Sequence, residues 1–269
     1  MLPSPRANDL AELLGGARAY DLAQPYFVGM PHYPTHPPFL YSLSKKHGDY
    51  VAAGGVSSAS EALALGSHTG THMDALSHYS RGGKLHGGVE AAGVQSYASG
   101  IGHLSIDTVG LVMRRAVLLD IAAAVGVPAL EADFIIEARH LEDAARAQQA
   151  AIERGDIVLL RTGWGQYWND PPRYLAQGHG PGPEVEGARW LSERGVFAVG
   201  SDTLAFEKAP NAGSPVHAHL LVDCGIHIFE ALNLEEIALD RVTHFLFVAA
   251  PLKIRGGTGS PVRPFALAP

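Results

Sequence analysis

Eleven consecutive residues, His68-Thr69-Gly70-Thr71-His72-Met73-Asp74-Ala75-Leu76-Ser77-His78, carry three imidazoles and a carboxylate. His68, His72 and Asp74 form an H-x3-H-x-D set, a ligand inventory for a divalent metal. Their even spacing would put them on one face of a strand. Yet fully extended chain would separate the Cα atoms of His68 and His72 by about 13 Å. Two imidazoles sharing one ion at ~2.1 Å each would then be near the limit of their reach. The spacing therefore predicts a bend at Gly70. Two nitrogens and one oxygen leave coordination positions open for water and substrate, as in a catalytic site. A closed structural site would favour cysteine and fill every position. His78 follows as a group free to move protons, or else as a hydrogen-bond partner behind the ligands. Such an ion lowers the pKa of bound water to ~7 and polarises a carbonyl, which is hydrolase chemistry. The alternative is a surface loop of metal-free histidines; Asp74 and His78 weigh against it.

The rest of the composition limits the partners. Among 269 residues the net charge is -7, with no basic block to bind phosphates, so a general nucleic-acid role is disfavoured. Met1–Asp9 lacks the apolar stretch of a signal peptide, and no segment approaches the ~18–20 apolar residues of a membrane span. Cys224, the single cysteine, excludes an internal disulfide and suits a cytoplasmic protein. Length favours one domain, 1–269, with no repeat and no clear linker.

Residues 20–42 read as an extended, rigid arm. Pro31, Pro34, Pro37 and Pro38 fix φ and remove donors there. From Arg115 the chain alternates. Strands are expected at 116–121, 157–161, 196–200, 226–229 and 244–249. Helices are expected from Glu137 to Glu153, from Glu184 to Arg194 with Gly195 as stop, and from Pro215 to Asp223 with Ser214 as a possible cap. The pattern is α/β, helices packing on a sheet.

The histidine run resembles the metal-dependent cyclase family, which includes bacterial kynurenine formamidase and isatin hydrolase. The family pattern is H-x-G-T-H-x-D-x-P-x-H, and only the Pro differs, being Leu76 here. The Asp-Ala-Leu-Ser-His version is closer to the isatin hydrolase branch. Gly29-Met30-Pro31-His32-Tyr33-Pro34, Arg161-Thr162-Gly163-Trp164, Gly200-Ser201-Asp202-Thr203 and the Gly257–Pro264 stretch resemble further family blocks. The resemblance implies a compact swivelling β/β/α domain, with a mixed sheet flanked by helices, that forms homodimers. It implies a role for His217 and Glu230, as ligands of a second metal or as contacts for substrate and protons. His219 competes with His217 for that role. Manganese is the expected ion, with zinc as alternative. His86, His227 and His244 are read as structural.

Together these features predict a metal-dependent hydrolase that opens a C–N amide bond in a small cyclic or aryl amide, as in isatin. Its metal ligands are His68, His72 and Asp74, and its proton carrier is His78. Tyr33 and Phe27 offer an apolar wall for an aromatic ring; plain core packing is the other reading of that pair. Open alternatives are an arylformamidase acting on N-formylkynurenine, a lactonase or true cyclase, and a non-catalytic, metal-dependent binder of a small aromatic acid.

Overall fold

A computed structural model describes residues 14–269; the signal-peptide reading of Met1–Asp9 lies outside them. The architecture is α/β, a nine-stranded mixed sheet with helices packed on it. Four parallel strands form its centre: Val112–Asp120, Ile157–Arg161, Ala198–Ser201 and His227–Glu230. Antiparallel neighbours extend both sides. His244–Ala249, Phe265–Ala268 and Arg18–Asp21 follow beyond Val112–Asp120. His72–Asp74 and Gly259–Pro261 follow beyond His227–Glu230.

The central strands carry apolar runs, Ala116–Leu119 and Ile157–Leu160 among them, where both faces are covered. Side chains alternate between two cores. Leu118, Ile157, Leu159 and Phe229 pack on one face with Met73, Ile106 and Phe247. Val117, Leu119, Val158, Leu160 and Ile228 pack on the other, beneath Leu141, Ala144, Leu191 and Leu220 of the helical layer. Full burial of each such side chain contributes roughly 1.5–3 kcal/mol.

The strands expected at 157–161 and 244–249 are present with those ends, and the other expected elements have shifted ends. The first strand stops at Asp120, whose carboxylate accepts from Ala123 N and starts a helix at Ile121. The helix expected to reach Glu153 is Ala138–Ala147. Gln148 ends it by bonding Leu118 O and Asp120 N with its side chain, and Gln149 turns to φ +52°. The later helix is Val185–Glu193, and Gly195 takes φ +67° as expected of a stop. Ser214 does not cap the next helix. Its side chain makes no capping bond, and Glu207 Oε2 accepts from Val216 N instead. That helix, Pro215–His217, widens into a π-helical segment, Ala218–Cys224.

The Pro-rich arm packs on its own chain. Leu22, Gln24, Met30 and Phe39 are buried, and Trp168 Nε1 donates to Pro25 O at 2.8 Å.

Candidate metal centre

The bend expected at Gly70 is present. Residues 67–71 turn, Gly70 has φ +74°, and only His72–Asp74 is strand. A Cβ at Gly70 would stand 1.7 Å from the Tyr26 ring, so the position admits glycine alone. The Tyr26 hydroxyl shares its proton between Thr69 O and Thr71 O, each at 3.0 Å, and so straps the turn to the arm. The short strand lies between His227–Glu230 and Gly259–Pro261. Its register sets Glu230 opposite His72. Pairing of strands far apart in sequence thus delivers the second carboxylate.

The side chains converge on Asp74. His68 Nδ1 lies 2.7 Å from Asp74 Oδ1, and His72 Nε2 lies 3.3 Å from the same oxygen. His72 Nε2 is also 3.3 Å from Glu230 Oε2. His217 Nε2 is 3.0 Å from Glu230 Oε1 and 3.8 Å from Asp74 Oδ2. The other nitrogens have fixed partners, as metal-ligating imidazoles require. His72 Nδ1 donates to Gly70 O, His68 Nε2 meets Thr258 Oγ1, and His217 Nδ1 meets Glu207. His72 therefore presents Nε2 to the centre, and His68 presents Nδ1. Ligand atoms within 4.8 Å of one another fall into two groups that share Asp74: His68–Asp74–His78 and His72–Asp74–Glu230.

Charge explains why the cluster suits a cation. Asp74, Glu207 and Glu230 are buried carboxylates. Burial alone would push His72 down, but hydrogen bonds to Asp74 and Glu230 overcome it and hold the imidazole up at about 10. Burial likewise opposes charge on His217, and Glu207 and Glu230 raise it well above its usual value. Burial opposes charge on Glu230 too, yet His217 and His72 keep it down at about 2. Asp74 lies well below the usual carboxylate range: burial opposes its charge, and His78, His68 and His72 outweigh that. Asp74 Oδ2 is buried without a hydrogen-bond partner. An orphaned carboxylate oxygen among imidazole nitrogens fits a divalent ion.

A pH dependence follows. A ligating imidazole must be neutral, so metal must displace the proton that His72 holds below about pH 10. Metal affinity is expected to rise with pH, about tenfold per unit for each proton released. Calorimetric titration at pH 6 and 8 in two buffers checks both the slope and the proton release; an affinity independent of pH would contradict it.

A cavity of about 720 Å³ opens onto the cluster, walled by Tyr33, Tyr79, Trp164 and Tyr174. His68, His72, His78, His217, Glu230 and Tyr33 all line it. Phe27 does not; it packs with Met30, Phe39 and Trp168 behind the wall. His78 stacks on His68, with ring centroids 3.8 Å apart. His219 turns away, to Ser192 Oγ at 2.9 Å, leaving His217 alone in the cluster. His86 bonds Val222 O, and His227 bonds Asp74 O, both backbone supports.

Glu207 was invisible in the sequence. Four residues past Thr203, it meets the His217 ring with one oxygen and Val216 N with the other. Such a carboxylate fixes the tautomer of the imidazole it touches. Glu207→Gln is expected to lower kcat/KM about 10–100-fold, as outer partners of metal sites do. Steady-state kinetics with circular dichroism checks this; unchanged kinetics would leave Glu207 as a helix cap.

Comparison with known proteins agrees with this construction. The isatin hydrolase of Roseibium aggregatum is 28% identical over 215 residues, 77% of this chain and 74% of that protein. The kynurenine formamidase of Bacillus mycoides is 28% identical over 249 residues, 90% of this chain and 94% of that protein. A crystal structure described as a novel cyclase superposes with a TM-score of 0.86 at 30% identity, covering 96% of this chain and 89% of its own. The model of the family described as "Putative cyclase" matches residues 20–208. With that match spanning more than half of the residues and including the whole histidine run, the chain belongs to the cyclase family.

Proposed function

We propose that this protein is a metal-dependent hydrolase that opens the C–N amide bond of a small cyclic or aryl amide, of the isatin type. The observation that carries the reading is the convergence of His68 and His72, on the wall of an aromatic-lined cavity, upon the buried Asp74 with its unpartnered carboxylate oxygen. The relatives named isatin hydrolase and kynurenine formamidase support amide hydrolysis as the reaction.

His68, His72 and Asp74 would hold the ion, with Glu230 and His217 beside them. When bound, it supplies Lewis-acid activation of a carbonyl and of water. The chain's own residues do the rest. His78 is neutral at neutral pH, because burial pushes it down to about 3 against the pull of Asp74. It accepts a proton from water as the new C–O bond forms, and gives it to nitrogen as the C–N bond breaks. An amide and water thus become a carboxylic acid and an amine. The aromatic walls hold the ring and exclude water.

Manganese is the proposed ion and zinc the alternative; carboxylate and imidazole donors without thiolate suit both. A homodimer is proposed as well, with all 269 residues in one domain and residues 20–42 as its arm. The hairpin Leu40–Lys45 and Ser60–Ala64 supports dimerisation: Leu40, Tyr41, Leu43 and Leu63 are exposed on it, and a two-stranded hairpin is marginal alone. No helix among the described residues is long and apolar enough to cross a membrane. A cytoplasmic location is proposed from the free thiol of Cys224.

Arylformamidase activity is the second reading, favoured by the 94% coverage of the formamidase relative. Assays of isatin and N-formylkynurenine with added manganese or zinc separate the two. Isatin turnover with manganese is expected. Failure of metal-loaded protein to hydrolyse either compound would count against the proposal.

A further inference from the structure

Resting on the hydrolase reading above, we infer that the substrate is an uncharged aromatic amide larger than a lone fused two-ring system, carrying no carboxylate remote from the scissile bond. Three features of the cavity lead there.

The first is size. At about 720 Å³ the cavity lies in the upper part of the range of about 300–1,000 Å³ typical of sites for drug-sized ligands. A compact bicyclic amide at the metal cluster leaves much of that space unfilled.

The second is the chemistry of the walls. Trp164 Nε1 donates to Leu130 O, the Tyr174 hydroxyl to Asp202 O, and the Tyr79 hydroxyl to Ser214 Oγ. Two of these polar tips are spent on backbone carbonyls, and the third on Ser214, which also lines the cavity. What they offer a ligand is ring surface, suited to stacking with a second aromatic ring.

The third is charge. Among the described residues no Lys or Arg lines the cavity. Lys208, next to Glu207 in the chain, donates to Ala209 O instead. The acidic side chains on the wall are Glu207 and Glu230. A ligand carboxylate away from the metal cluster would meet aromatic rings and the uncharged side chains of Gln177, Asn211 and Ser214, with no Lys or Arg as counter-ion, which is costly. His36 Nδ1, on the cavity wall, is buried and without a partner; a single hydrogen bond to an uncharged group would satisfy it.

The test uses the metal-loaded full chain and two matched pairs of compounds. The first pair is an aryl formamide with a remote carboxylate and the same compound with a carboxamide in its place. The second is isatin and its N-benzyl derivative. Affinity is read by tryptophan fluorescence quenching and turnover by product formation. The carboxamide is expected to bind at least about tenfold tighter than the carboxylate, and N-benzylisatin at least about tenfold tighter than isatin. A carboxylate that binds as tightly as its carboxamide, or an isatin that binds as tightly as its extended form, would overturn the inference. Tight binding of the neutral compounds with no product from metal-replete protein would support the ligand class while sinking the hydrolase reading, so the two failures are distinct.

Discussion

Asp74→Asn is expected to strip the protein of its metal and of its activity together. Asp74 Oδ1 meets both His68 and His72, and Oδ2 is buried with no partner. Asparagine keeps the shape but loses the charge and replaces one oxygen with a donor that cannot ligate a cation. Loss of an outer partner of a metal site costs about 10–100-fold, and loss of a shared ligand exceeds that. Metal content is expected to fall to less than about a tenth of the wild-type value, with kcat/KM down at least about 1,000-fold. The backbone pairing of His72–Asp74 with both neighbouring strands survives, so the circular dichroism spectrum stays unchanged. A variant that keeps metal and turnover would shift the centre onto His72, Glu230 and His217.

His78→Ala is expected to do the opposite with metal, keeping it while losing turnover. His78 stacks on His68 and meets Tyr79 edge-on at 4.8 Å, and it makes no side-chain hydrogen bond to a proposed ligand. Removing a general base of this kind lowers kcat about 100–10,000-fold. Metal content and KM are expected to stay near wild type. If metal leaves with the imidazole, His78 is a ligand, as the His68–Asp74–His78 grouping permits. The two variants therefore separate holding the ion from moving the proton.

What could be read in advance followed the range over which each interaction acts. His68, His72 and Asp74 lie within seven residues, and the reach of two imidazoles was enough to require the bend at Gly70. The strands Ile157–Arg161 and His244–Ala249 appear where their apolar runs stand, because burial there depends on local pattern. The end of the helix Ala138–Ala147 was hidden because Gln148 reaches the backbone of a strand some thirty residues earlier. Glu230 came into view only through family resemblance, and its place opposite His72 depends on a sheet register that no periodicity encodes. Glu207 had no signal at all: a lone Glu becomes the partner of His217 only after the chain folds back. Phe27 misled for the converse reason. An aromatic beside a proline-rich segment reads equally well as pocket wall or as core, and here it packs, partly buried, against the cluster of Met30, Phe39 and Trp168.

The most direct test of the central claim is the metal content of the purified wild-type protein, measured by plasma mass spectrometry before and after reconstitution with manganese or zinc. At least one divalent ion per chain is expected, lost in Asp74→Asn and retained in His78→Ala. Protein that takes up no ion even after reconstitution would contradict it, and would leave His68, His72 and Asp74 as a hydrogen-bonded cluster without a catalytic centre.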